Sequence, residues 1–250
     1  MKIDSKEFTS QYRLAKSTAI EAGDYLLSRK DQNLIVHSDL GRDIKLEIDR
    51  EAEELIRNRL ALTGISILGE ELGSDNIQSQ LKWIVDPLDG TSNYFRGLDQ
   101  CCVSIALMDG EEVLVGIIFN FNTNELFSAY KGGGAFLNDK HIKVSEIYDK
   151  ENASLTTGFP ASESVESSTL FLNNLSGWKK IRMFGSAALS CAYVASGRCD
   201  VYQEKGVYLW DFAAGICLVE EAGGKAFYEK IDDSRYLVNF TNIQSNKVNV

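Results

Sequence analysis

The order of elements in this sequence predicts an α/β protein folded in layers. Three observations carry that expectation. Two amphipathic helical stretches open the chain, strands with hairpin punctuation fill its middle, and helices and strands alternate again toward the end. Phe8, Tyr12, Ala15, Ala19, Ala22 and Leu26 recur at spacings of four and three, which predicts a first helix that Gly23 weakens slightly. Ile44, Ile48, Ala52, Leu55, Ile56 and Leu60 predict a second. Gly64–Leu68 reads as a short strand running into Gly69-Glu70-Glu71, and Trp83-Ile84-Val85 as another ending at Asp86. Val103–Met108, Val113–Phe119 and Leu126–Tyr130 read as strands, punctuated by Asp109-Gly110, Asn122-Thr123-Asn124 and Gly132-Gly133-Gly134. The triple glycine reads as a turn, because no helix follows it. Beyond Tyr148, strands are expected at Leu155–Thr157, Ile181–Met183, Val201–Gln203 and Leu237–Phe240, with helices at Ser186–Ala195 and Leu209–Ala222. A composition shift at Tyr148–Ala153 marks a subdomain boundary, with 1–148 on one side and 149–250 on the other.

Composition narrows the function. A net charge of −10 over 250 residues argues against a protein that grips a nucleic-acid backbone. An acidic enzyme that handles phosphates therefore needs bound cations. Five scattered cysteines with no C-x-x-C pair fit neither a disulfide framework nor a zinc site, and with only two histidines any metal should be held by oxygen. The start of the chain lacks an apolar signal core, and no run of apolar residues is long enough to span a membrane. A cytoplasmic protein is expected.

The densest chemistry lies in Asp86-Pro87-Leu88-Asp89-Gly90-Thr91-Ser92-Asn93. It offers two carboxylates, a carbonyl between them, then small residues with backbone N–H groups and a hydroxyl. Magnesium takes oxygen ligands and shares them with substrate phosphates, and successive N–H groups make an anion cradle. An ordinary Asp-Gly turn is the competing reading. A calcium loop of the EF-hand type fails, because Thr91 and Gly97 stand where glycine and glutamate are required. No Walker-type Gly-Lys-[Ser/Thr] occurs. If the strands before Glu70 and Asp86 are neighbours, their acids converge. Read singly, Asp211 is a helix cap, Glu204 a surface acid near Lys205, and Asp49 part of a solvated face with Glu47, Arg50, Glu51, Glu53 and Glu54.

Taken together, these positions fit a known pattern. Trp83-Ile84-Val85-Asp86-Pro87-Leu88-Asp89-Gly90-Thr91-Ser92-Asn93-Tyr94 resembles the signature of the inositol monophosphatase family, a branch of the magnesium-dependent, lithium-sensitive phosphatases. Gly69-Glu70-Glu71, Gly185-Ser186-Ala187-Ala188 and Leu209-Trp210-Asp211-Phe212-Ala213-Ala214-Gly215 resemble its other motifs in the same order, over almost the full length. The resemblance implies an α-β-α-β-α sandwich with the active site between two subdomains, and a likeness to homodimers. It implies that Asp86 bridges two magnesium ions, with Glu70 and the Leu88 carbonyl completing one site, Asp89 and Asp211 the other, and a third ion near Glu70. Glu70 and Thr91, the latter paired with Asp49, would orient and deprotonate the attacking water. Gly90 and Thr91 N–H groups would hold phosphate. Glu204, Asp89 and the Gly185-Ser186-Ala187 backbone would contact the substrate alcohol.

The chain also departs from the family pattern. The family's D-x-V-T-x-x-D appears here as Asp43-Ile44-Lys45-Leu46-Glu47-Ile48-Asp49, a lysine often found earlier has no counterpart around His37-Ser38-Asp39, and Phe95-Arg96 replaces a His and Pro. These changes spare the two main metal sites and bear on the third ion and the alcohol. The resemblance implies hydrolysis of myo-inositol monophosphate. The alternatives are the same chemistry on fructose 1,6-bisphosphate, 3′-phosphoadenosine 5′-phosphate, NADP or histidinol phosphate, or a regulatory protein that keeps the fold and binds a partner such as the transcription machinery.

Overall fold

The computed structural model describes residues 5–30, 36–40, 43–76, 78–159 and 165–242. The first helix, α1 (Ser5–Arg29), buries Ala15, Ala19, Ala22 and Leu26. Gly23 has a packing reason to be there: a Cβ at that position would stand 2.6 Å from the Phe119 ring. Strands β1 (Val36–Leu40) and β2 (Asp43–Leu46) pair as an antiparallel hairpin, and α2 (Glu47–Leu60) follows directly. The sequence pattern assigned Ile44 to that helix. It lies in β2 instead, because Asp43–Leu46 pairs with β1 and the Asp49 carboxylate accepts the Leu46 N–H at 2.9 Å, which fixes the helix start.

A 3₁₀ turn (Ala61–Thr63) leads to β3 (Ser66–Gly69), β4 (Gly73–Ser74), β5 (Leu81–Asp89) and the short α3 (Thr91–Phe95). Then come β6 (Cys102–Asp109), β7 (Glu112–Asn120), β8 (Glu125–Tyr130), β9 (Gly134–Leu137) and β10 (Lys140–Ile142). The last part of the chain carries β11 (Ser154–Thr156), α4 (Val165–Asn174), β12 (Lys180–Arg182), α5 (Ala187–Ala195), β13 (Val201–Tyr208), α6 (Leu209–Glu221), β14 (Lys225–Lys230) and β15 (Arg235–Thr241). The hairpin β1–β2, α4 and β14 were not legible from hydrophobic period.

Eight strands form one sheet in the order β10-β9-β8-β7-β6-β5-β3-β4, antiparallel throughout except for β3 against β5. Five more form a second sheet in the order β12-β11-β13-β15-β14. One apolar core lies between α1, α2 and the large sheet, around Trp83, Ile105, Ile117 and Phe119. The other joins the two sheets through α5 and α6, around Phe127, Leu189, Phe212 and Phe240. Leu155 and Val201 on the far face of the small sheet pack against Leu175 and Trp178, which follow α4. The layers are thus α-β-α-β-α, as expected. Strands of the large sheet all come from before residue 143 and those of the small sheet from after residue 153.

The triple glycine is a turn between β8 and β9 with a second use. Gly132 and Gly134 donate their N–H groups to the Glu221 carboxylate at 2.7 and 2.8 Å. An acid at a helix C-terminus is disfavoured by the helix dipole, and this small nest offsets that at the end of α6.

Candidate active site

The site grows from a defect in β5. Asp86 pairs with Ser104 and Asp89 with Cys102, so three steps along β5 match two along β6. In a regular strand Asp86 and Asp89 would face opposite sides of the sheet. The bulge removes that alternation and turns both toward one side. Pro87 sits inside it, where its missing N–H costs no ladder hydrogen bond. Parallel pairing of β3 with β5 sets Gly69 opposite Val85, and Glu70 N–H donates to the Val85 carbonyl at 3.2 Å. Glu70 therefore leaves its strand level with Asp86, the convergence that the strand-end acids predict.

Asp86 and Asp89 are both buried, 2% and 9% exposed. One Asp86 oxygen accepts the Leu88 N–H at 3.0 Å. Asp89 is held by the start of α5: the Ser186 hydroxyl and the Ala188 N–H (2.9 Å) donate to Oδ2, and the Ala187 N–H (3.3 Å) donates to Oδ1. Asp211, in the first turn of α6, accepts the Tyr208 N–H at 2.8 Å. The cap reading of Asp211 therefore describes part of its role.

Electrostatics tie the four acids together. Burial, then the charges of Glu70, Asp89 and Asp211, push the Asp86 carboxyl well above its usual range. Burial, then Asp89 and Glu70, do the same to Asp211. Asp89 is also raised by burial, but the hydrogen bonds from α5 oppose the shift. Among the described residues, neither lysine nor arginine is a main influence on any of the three. Buried carboxylates so placed must take up protons or share a cation.

The next residues turn sharply. Gly90 has φ +88°, and a Cβ there would sit 2.6 Å from the Gln100 carbonyl, so glycine is required. It opens α3, whose first N–H groups have no acceptor within the helix. Asn93 on α3 donates to the carbonyls of Gln100 (2.6 Å) and Phe184 (2.7 Å), which ties this turn to the loop before α5. Asn93 was quoted only as part of the signature, and its role as a staple between the two halves depends on distant backbone that no local pattern shows. The Thr91 hydroxyl donates to the Leu88 carbonyl at 3.0 Å. Asp49 is buried, and its carboxylate accepts the Leu46 N–H as a helix cap. The solvated face expected for Asp49 and Glu53 is corrected: they are only 2% and 0% exposed, because α2 turns that side toward β3 and β5.

Glu204 projects from β13 and accepts the Tyr202 hydroxyl at 3.1 Å. Burial pushes its carboxyl up to about 7, opposed by the Tyr202 hydroxyl and the Gly158 N–H. A Cβ at Gly158 would lie 1.9 Å from Glu204 Oε1. The surface-acid reading of Glu204 does not hold. Ser186 and Ala187, expected against the substrate, spend their groups on Asp89, while Gly185, at φ +67°, abuts Asn93.

Residues 8–242 match the model of the inositol monophosphatase family. The chain belongs to that family. A protein from Xylella fastidiosa named Nus factor SuhB is 43% identical, over 82% of this chain and 77% of its own. An inositol-1-monophosphatase from Mesorhizobium japonicum is 38% identical, over 77% of this chain and 75% of its own. The crystal structure of the extragenic suppressor protein SuhB from Bartonella henselae superposes with a TM-score of 0.84 at 34% identity, covering 92% of this chain and 93% of that one.

In this member of the inositol monophosphatase family the donors suit a hard cation. They are carboxylates and a backbone carbonyl, the oxygen donors that magnesium takes, and the Asp86 and Asp211 carboxyls are pushed well above their usual range by burial and by neighbouring carboxylates. Among the described residues no three acids, histidines or cysteines already stand as a closed metal cage. A separate groove of about 490 Å³ between α1 and α2, lined by Glu21, Tyr25, Glu51, Glu54 and Arg59, contains none of the family residues. Its acids are ion-paired, Glu21 with Arg59, Glu51 with Arg29 and Glu54 with Arg50. Among the described residues no helix is long and apolar enough to cross a membrane.

Proposed function

We propose that the chain is a magnesium-dependent phosphomonoesterase that hydrolyses myo-inositol monophosphate to inositol and phosphate. The carrying observation is the mutual electrostatic influence of Glu70, Asp86, Asp89 and Asp211 at strand and helix ends, which raises the Asp86 and Asp211 carboxyls well above their usual range. Glu70, Asp86, the Leu88 carbonyl, Asp89 and Asp211 would hold two magnesium ions, with a third near Glu70. When bound, these ions supply Lewis acidity toward the attacking water and the departing oxygen.

The chain's own groups do the rest. Glu70, beside Asp86, takes a proton from the attacking water. The Thr91 hydroxyl spends its proton on the Leu88 carbonyl, so its oxygen is left to accept from that water and orient it. Gly90 and Thr91 N–H groups at the head of α3 bind phosphate oxygens, which aim fixed dipoles at the charge that develops there. Asp49 serves the start of α2. Asp89 is oriented by Ser186 and Ala187, and Glu204 binds a hydroxyl of the polyol.

Glu204 gives the reading a pH signature. With its carboxyl pushed up to about 7, it is a hydrogen-bond acceptor above that pH and carries a proton below it. As the acceptor of a substrate hydroxyl, it should make KM fall as pH rises through about 7, and Glu204→Gln should abolish that dependence. A KM profile that is the same in both proteins would remove Glu204 from the substrate site. Gly158→Ala should raise KM by about 10-fold or more, since the added methyl displaces the Glu204 carboxylate. Steady-state kinetics check it, and an unchanged KM would contradict it.

The similarity to a protein named Nus factor SuhB supports a second reading, a regulatory role in a chain that keeps the fold. Phosphate release from a panel of phosphomonoesters, with magnesium and with or without lithium, separates the two. Turnover of inositol monophosphate with lithium inhibition supports the enzyme, and no turnover of any ester supports the binding role. A cytoplasmic homodimer belongs to the same proposal, with its mass checked by light scattering.

A further inference from the structure

Glu53 is fully buried on α2, and both of its oxygens are engaged. Oε2 accepts the Glu71 N–H at 2.7 Å, and Oε1 accepts the Leu72 N–H at 3.2 Å and the Arg57 Nε–H at 2.7 Å. Arg57 extends the clasp: Nη1 donates to Asp75 at 2.6 Å and Nη2 to the Gly73 carbonyl. The approach is so close that a Cβ at Gly69 would stand 2.1 Å from Glu53 Oε1. One carboxylate and one guanidinium thus grip the turn from Gly69 to Asp75 along its length.

That turn carries Glu70, and its backbone is also tied by the Glu70 N–H to the Val85 carbonyl and by the short pairing of β4 with β3. Leu72 is 37% exposed, and the adjoining strand β4 has two residues. Glu70 is bounded by Gly69, paired with β5, and by Glu71, whose N–H is held by Glu53. Charge-assisted bonds from a buried carboxylate to backbone N–H groups are strong and directional.

We propose that Glu53, with Arg57, is a positioning residue that aims Glu70 at the cation shared with Asp86. This rests on the reading of Glu70 as a cation ligand. Groups that orient metal ligands typically change affinity by about 10–100-fold when altered. Glu53→Gln keeps the size but presents an amide N–H₂ to donors that need an acceptor, so the turn shifts.

Binding of Mn²⁺ to the purified full chain, followed by electron paramagnetic resonance, tests this without catalysis. Glu53→Gln should weaken Mn²⁺ binding about 10-fold or more, while Glu54→Gln, an exposed neighbour ion-paired with Arg50, leaves it unchanged. A double-mutant cycle separates positioning from general loosening. If Glu53 acts through Glu70, Glu53→Gln combined with Glu70→Gln binds no more weakly than Glu70→Gln alone. Additive losses, or wild-type affinity in a folded Glu53→Gln protein, would overturn the proposal. Should that variant fail to fold, Arg57→Lys, which loses the forked contacts to Gly73 and Asp75, should weaken binding in the same non-additive way. Wild-type affinity there would equally overturn it. A wild-type chain that binds no Mn²⁺ would overturn the reading of Glu70 itself, an outcome distinct from a wild-type chain that binds and a variant that binds equally well.

Discussion

Replacing Asp86 by asparagine should destroy activity and make the metal-free protein more heat-stable. The side chain is 2% exposed and stands in the field of Glu70, Asp89 and Asp211, all of its own sign. Asparagine keeps the shape and an oxygen for the Leu88 N–H, so the bulge in β5 survives while one repelling charge goes. Loss of Asp86 as the proposed shared cation ligand should lower kcat about 1,000-fold or more. The relief of repulsion should raise the melting temperature by about 2–4 °C for each kcal/mol recovered in a chain of this size. Opposite signs for activity and stability mark a site whose charge is kept for chemistry. Asp89→Asn is the instructive contrast. Its oxygens also hold Ser186, Ala187 and Ala188, and an amide N–H₂ turned toward those donors should cost stability as well as activity. Calorimetry of metal-free proteins beside steady-state kinetics checks both. A melting temperature that falls in Asp86→Asn would contradict the repulsion.

The second large effect is on pH. Asp86 and Asp211 have folded-state pKa values well above the ordinary carboxylate range, and Asp89 is raised as well. In the unfolded chain they titrate near about 4. Between that value and the raised ones the folded metal-free protein holds more protons than the unfolded one, so the slope of stability against pH is negative. The stabilising state is the protonated one, complete below the unfolded value and lost as pH rises through the folded ones. The metal-free chain should therefore melt at a lower temperature at pH 8 than at pH 5.5, by several degrees (about 1 kcal/mol per 2–4 °C). Magnesium, which displaces those protons, should bind more tightly as pH rises and restore the loss. In Asp86→Asn the slope should flatten. A metal-free melting temperature that climbs from pH 5.5 to pH 8 would contradict this picture.

Hydrophobic period found most elements because their buried faces are regular. Ala15, Ala19, Ala22 and Leu26 in α1, and Trp83 to Val85 in β5, announce themselves by pattern. Period failed at the β1–β2 hairpin, since Ile44 keeps helical spacing with Ile48 while its backbone pairs with β1. It also failed at β14, whose residues are mostly exposed. In the site, Asp86 to Thr91 were legible because neighbouring residues in one motif deliver most of the donors. Register was not legible: only the pairing of β3 with β5 puts Glu70 beside Asp86, and only the bulge turns Asp86 and Asp89 the same way. Glu53 was hidden among look-alike acids, because an α2 rich in Glu and Arg does not declare which face is buried. Ser186 was legible as part of a motif, but its partner, Asp89, lies 97 residues away.

Glu70 after β3, Asp86 and Asp89 in β5 and Asp211 in α6 are proposed to share cations. Anomalous diffraction from crystals soaked in manganese tests this most directly. Two strong peaks are expected, both touching Asp86, one with Glu70 and the Leu88 carbonyl and the other with Asp89 and Asp211. A map with no peak among these residues at a saturating soak would contradict the account.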